Sequence, residues 1–122
     1  MFARAATAYR QVDLSSAPKA DILIRLFRRC LHDIDLARRA IVARDVSGKA
    51  AALDHAGRIV VELRAALDHA AAPALAGNLD ALYRFVHDQL SAANLQLTPG
   101  PLDAATRVMT ELAEAFSAAR QP

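Results

Sequence analysis

The sequence predicts an all-α protein, an antiparallel up-down-up-down four-helix bundle with a mobile N-terminal arm, and three observations predict it. Composition is the first: 54% of the 122 residues are apolar, yet only 5% are aromatic and Trp is absent, so the apolar mass is Ala, Leu, Val and Ile. Ala and Leu lead the helix scale, whereas strands draw on β-branched and aromatic residues. Spacing is the second, because apolar residues recur at steps of three and four along four stretches. Punctuation is the third: breaks at Ser15 to Lys19, Arg44 to Gly48, Ala70 to Gly77 and Thr98 to Pro101 separate those stretches. Short connections between helices of similar length make neighbours antiparallel. The length fits one domain, enough to bury a core without disulfides or metal.

The arm, residues 1–17, lacks a sustained period and carries Phe2, Tyr9, Val12 and Leu14 as apolar handles; the bundle takes residues 18–122. The first helix is expected from about Lys19 to Ala43, with Ile22, Leu23, Leu26, Phe27, Cys30, Ile34, Ala37 and Ile41 inward and Arg25, Arg28, Arg29, His32, Asp35 and Arg39 outward. Ile24 and Leu31 lie off that stripe, which makes this helix apolar around more of its circumference than one core contact needs. The second starts after Asp45 as N-cap, turns Leu53, Ala56, Val60, Leu63 and Leu67 inward, widens through Ile59 and Val61, and lays Asp54, Arg58 and Glu62 outside as an i, i+4 ladder. The third begins near Pro73, suited to a first turn because Pro lacks the N–H that would be unpaired there. It uses Leu75, Leu79, Leu82, Val86, Leu90, Ala93 and Leu97, with Asp80, Arg84 and Asp88 solvated. The fourth follows Pro99-Gly100-Pro101, and Leu102, Ala105, Met109, Leu112, Phe116 and Ala119 form the cleanest heptad seam in the chain.

Little in the sequence points to catalysis. His32, His55, His69 and His87 include no H-x-x-x-H pair; His55 and His69 share a face but stand about 21 Å apart along a helix, too far for one metal, and read as solvated. Cys30 is the only cysteine, so no intramolecular disulfide forms, and its place in an apolar pattern reads as a packed thiol in a reducing cytoplasm. The four glycines are scattered singly and make no phosphate loop. Gly57, inside a helix, costs roughly 1 kcal/mol relative to Ala and points to close approach by another helix. The net charge of +2 is spread, and the run Arg25, Arg28, Arg29 with Arg38 and Arg39 beyond is interrupted by Asp33 and Asp35 with no aromatics for base stacking, so nucleic acid is not the expected partner. No apolar run suits a bilayer and the start has no signal-peptide h-region. The expectation is therefore a cytosolic protein, not an enzyme, without cofactor or metal, that binds another polypeptide.

Laid in order, YRQVDLSS, LIRLF, RDVSGKAAAL, NLDALYRF and SAANL resemble the flagellin-specific export chaperone family, FliS, over nearly the whole chain. Tyr9 opens the segment before the first long helix, Leu26-Phe27 stands where the family has Leu-Tyr or Leu-Phe, and Asp45 fits its Gly-Asp turn. Asn78-Leu79 followed by Leu82-Tyr83 fits N-L-x-x-L-Y, and Ala93-Asn94-Leu95 fits A-N-L. Departures fall at Pro18-Lys19, Arg28-Arg29, Ala72-Pro73, Asp88-Gln89 and Phe116, the last where the family ends in Trp. The resemblance implies a cytosolic bundle that binds the C-terminal segment of flagellin, prevents premature polymerisation and assists delivery to the flagellar secretion apparatus. It implies client contact through apolar residues of the first three helices, for which Ile22, Leu26, Leu53, Ile59, Val60, Leu79 and Tyr83 are named, with Tyr9 and Val12 in an arm that caps the groove. The alternative is a generic helical scaffold, a homodimer through Ile24 and Leu31.

Overall fold

A computed structural model describes residues 17–70 and 72–120, so Phe2, Tyr9, Val12 and Leu14 of the expected arm lie outside the described residues. Four helices make up the described chain: α1 Ala17–Ala43, α2 Val46–Ala65, α3 Pro73–Gln96 and α4 Gly100–Arg120. Each packs on its two chain-order or ring neighbours, α1 on α2 and α4, α3 on α2 and α4, and no diagonal pair of the described helices meets. With connections this short, the ring is the up-down-up-down bundle that the spacing predicts.

Local chemistry fixes the ends. At the close of α1, Asp45 N–H donates to Ala40 O at 2.8 Å and Arg44 N–H to Ile41 O at 3.2 Å, with Arg44 left-handed at φ 59°. This is a Schellman motif, formed by arginine where glycine is usual. Asp45 then caps α2, its Oδ1 accepting from Gly48 N–H at 2.9 Å. A Cβ at Gly48 would collide with that carboxylate, which is why the third capped position has no side chain. Pro73 opens α3, and Leu97 ends it in the left-handed region at φ 56°, its N–H donating to Ala93 O. Helix α4 takes Gly100 and Pro101 into its first turn, where a missing N–H costs nothing.

The core is built from Leu23, Phe27, Cys30, Ile34 and Ala37 of α1, Ala56, Val60 and Leu63 of α2, Leu79, Tyr83, Val86 and Leu90 of α3, and Leu102, Ala105, Met109, Leu112 and Phe116 of α4. Phe27 and Phe116 meet across it with ring centroids 5.8 Å apart, tilted at 47°. Several expected inward residues sit elsewhere. Ile22 is 54% exposed because it stands one residue, about 100°, from the Leu23 to Ile41 stripe. Val61 and Leu97 are exposed as well, and Leu26, Ile41, Leu75 and Leu82 are half-buried. Ile24 and Leu31 pack against the core. They share a seven-residue spacing with Arg38, which pairs with Asp103 of α4, so this stripe faces α4.

Candidate functional site

A second heptad stripe runs down α1 beside its core stripe. Ile22, Leu26, Arg29, Asp33, Leu36, Ala40 and Ala43 follow at alternating steps of four and three, which puts them on one side of the helix. Gly48, Ala52, His55, Ile59 and Glu62 repeat the pattern on α2. The lower half of this seam is an open groove of about 550 Å³ lined by Arg29, Asp33, Leu36, Ala40, Ala52 and His55 among others. It is open because its walls are small: Ala40, Ala43, Gly48, Ala51 and Ala52 stand where leucines would have closed it. Exposed Leu36 and the aliphatic parts of Arg29 and Arg39 give it an apolar lip with charged ends.

Midway along the seam sits a polar cluster. Asp33 is 1% exposed, and both its oxygens are occupied: Oδ1 accepts from Arg29 Nε at 3.2 Å, and Oδ2 accepts from Nδ1–H of half-exposed His55 on α2. A buried carboxylate is tolerable only with such partners. The sequence reading took Asp33 as a break in a basic surface run and His55 as solvated; the structure instead joins them across two helices. Spacing held the signal, since Asp33 is in step with Leu26 and Ala40 and so had to face α2.

Cys30 lies next to this cluster inside the core, fully buried, its Sγ 3.9 Å from Ala56 O. Burial first, and the nearby Asp33 charge second, push its thiol up to about 12, so at neutral pH it is a protonated packing group rather than a nucleophile. Among the described residues no group of three or more His, Cys, Asp and Glu is placed to hold a metal ion. No helix of the described residues is long and apolar enough to cross a membrane.

The α2/α3 seam carries a smaller cleft of about 330 Å³, lined by Leu53, Gly57, Val61, His87, Leu90 and Asn94 among others. Gly57 was expected to admit a close helix, yet a Cβ there would meet only the His87 ring at 3.8 Å, an ordinary contact. Its missing side chain opens the cleft instead. Above the cleft, Arg64 Nε donates to Asp80 Oδ1 at 2.8 Å, and Arg84 approaches the same carboxylate. The Arg64 hydrogen bond holds the Asp80 carboxyl below its usual range.

Of the residues expected to contact a client, Ile22 and Leu26 are accessible on the α1 seam stripe, and Tyr9 and Val12 lie outside the described residues. Leu53, Ile59, Val60, Leu79 and Tyr83 are buried and hold the core, Tyr83 at 0% exposure, and of the five Leu53 also reaches the lining of the α2/α3 cleft. The sequence reading missed Leu36, Ala40, Ala51 and the Asp33–His55 pair, which form the accessible groove.

A family model described as "Flagellar protein FliS" matches residues 2–122. The chain is similar to the "Flagellar secretion chaperone FliS" of Bacillus subtilis (strain 168), 29% identical over 115 residues that cover 94% of this chain and 85% of that protein.

Proposed function

The chain belongs to the FliS family of flagellar proteins, and from that premise we propose that it is a flagellar secretion chaperone that binds the C-terminal segment of flagellin in the cytosol. Holding that segment prevents premature polymerisation, and the complex is then delivered to the flagellar secretion apparatus. The observation that carries the reading to particular residues is the α1/α2 groove. A stripe with exposed Ile22, half-buried Leu26 and exposed Leu36 runs beside a trough of Ala40, Ala43, Gly48, Ala51 and Ala52. Such a trough accepts the apolar face of an amphipathic helix, presented at i, i+3, i+4 and i+7.

The physics is coupled folding and binding. A flagellin tail that is unfolded alone gains helix only when its apolar face is covered, and association of this kind buries on the order of 1,000 to 3,000 Å². The groove stands in for the neighbouring flagellin that the tail would otherwise meet. The α2/α3 cleft, with Leu53 and Val61 in its lining, supplies a second seat on the adjacent seam, as a client that wraps the bundle requires. Tyr9 and Val12 are proposed for the arm that covers part of the groove when no client is bound. Leu53, Ile59, Val60, Leu79 and Tyr83 contribute by setting the spacing of the helices on which the groove rests.

The test is calorimetric titration of the protein with the C-terminal peptide of the flagellin from the same organism, with circular dichroism to follow helix gain. Binding with added helicity is expected, and Leu36→Asp should weaken it while leaving the melting curve in place, because Leu36 is at the surface. Absence of heat and helicity change at tens of micromolar, about the −6 to −7 kcal/mol level, would sink the client assignment.

A further inference from the structure

The groove does not stop at the end of α1. Ala40 and Asp45 line both the groove and a second cleft of about 280 Å³ at the end of the bundle, whose other walls are Ile41, Arg44, Val46, Lys49 and Leu97. The two are one continuous surface. Val46 and Leu97 are 67% and 59% exposed, so the cleft has an uncovered apolar lip. Lys49 is only 6% exposed, and its ammonium donates to Asn94 O at 3.1 Å, which occupies one of its three N–H groups. Arg44 and Leu97, the two non-glycine residues at positive φ among those described, both line this cleft.

The electrostatics select the occupant. Two cations, Arg44 and Lys49, stand against one carboxylate, Asp45, and that carboxylate is committed to Gly48 N–H. Two carbonyls at each of these helix ends are covered: Ala40 O by Asp45 N–H, Ile41 O by Arg44 N–H, Ala93 O by Leu97 N–H and Asn94 O by Lys49. The surplus is positive inside an apolar frame. A second copy of this chain, docked end to end about a twofold axis, would set Arg44 and Lys49 against their own likenesses, which disfavours it. An apolar side chain next to a carboxylate satisfies both features.

We infer that the end cleft binds the terminal carboxylate and last apolar side chain of the client peptide, with the client's final helix lying in the α1/α2 groove parallel to α1. The inference rests on the client reading above and adds to it a polarity and an anchor. From Arg29 to Ala43 the groove runs about 21 Å, some four turns of helix, before it opens into the cleft. A helix docked in the opposite direction would bring its positive N-terminal end to Arg44 and Lys49.

The experiment compares the flagellin C-terminal peptide as free acid with the same peptide amidated at its C-terminus, titrated into the full chain. The free acid should bind roughly tenfold tighter or more, the worth of a charge-assisted bond. Lys49→Met should reduce that ratio to about one, and Arg44→Gln, at an exposed side chain that leaves the fold intact, should reduce it in part. Leu36→Asp should weaken both peptides and preserve their ratio. Equal affinity of wild type for acid and amide overturns the anchor while leaving the groove reading standing. Failure of wild type to bind either peptide removes the client assignment and this inference with it.

Discussion

Helices α4 and α1 each present a stripe with strict alternation of three and four residues, and the two stripes have opposite fates. On α4, Leu102, Ala105, Met109, Leu112 and Phe116 are all buried to 2% exposure or less. On the α1 side that faces α2, Ile22, Leu26, Arg29, Asp33, Leu36, Ala40 and Ala43 have the same spacing but remain partly open around one buried carboxylate. Spacing says which residues share a face. Size, and what stands opposite, says whether that face closes. The α4 stripe meets Phe27 and other large side chains and closes; the α1 seam meets Gly48, Ala51 and Ala52 and stays open.

Phe116→Ala tests the closed side and carries the largest expected effect. It should cost about 3 to 5 kcal/mol in urea unfolding, because it removes a fully packed ring facing Phe27. Asp33→Ala comes next, at about 1 to 3 kcal/mol, since Arg29 and His55 lose the carboxylate that ties α1 to α2. A cost below a few tenths would show that this carboxylate does not tie α1 to α2.

Two glycines give effects of opposite sign and smaller size. Gly48→Ala should destabilise by about 1 kcal/mol, because its Cβ displaces the Asp45 cap. Gly57→Ala should stabilise by up to about 1 kcal/mol through helix propensity, its Cβ meeting only the His87 ring. The smallest stability change belongs to Ala51→Leu in the groove, expected within about 0.5 kcal/mol of wild type in thermal unfolding. Its peptide affinity should nevertheless fall, because the new side chain fills the trough. A large loss of stability with unchanged affinity would reverse the roles assigned to the two stripes.

Much of this was legible from residue order. The helix boundaries, Asp45 as cap, Pro73 at the start of α3 and the α4 seam from Leu102 to Phe116 follow from local chemistry. Cys30 as a packed thiol follows from its step in the Phe27 to Ile34 stripe. The candidate site was legible only in part. Ile22 and Leu26 were named for contact and are accessible, but Leu53, Ile59, Val60, Leu79 and Tyr83 were named with them and are buried. Any apolar residue at core spacing satisfies both readings until its neighbours are known. The residues that form the groove are mostly alanine and glycine, whose contribution is the volume they leave empty, and an empty volume has no pattern in one dimension.

By itself, then, the sequence determined four helices, their ends, their antiparallel order and the heptad stripes each presents, because helix periodicity and capping depend on residues within a few positions of one another. Tertiary structure alone decided that Asp33 and His55 meet, that Gly57 opens a cleft rather than admitting a helix, and that the α1/α2 groove continues past Ala40 to Arg44 and Lys49. Those outcomes depend on sums of side-chain volume and charge across helices distant in the chain, which no single stretch contains.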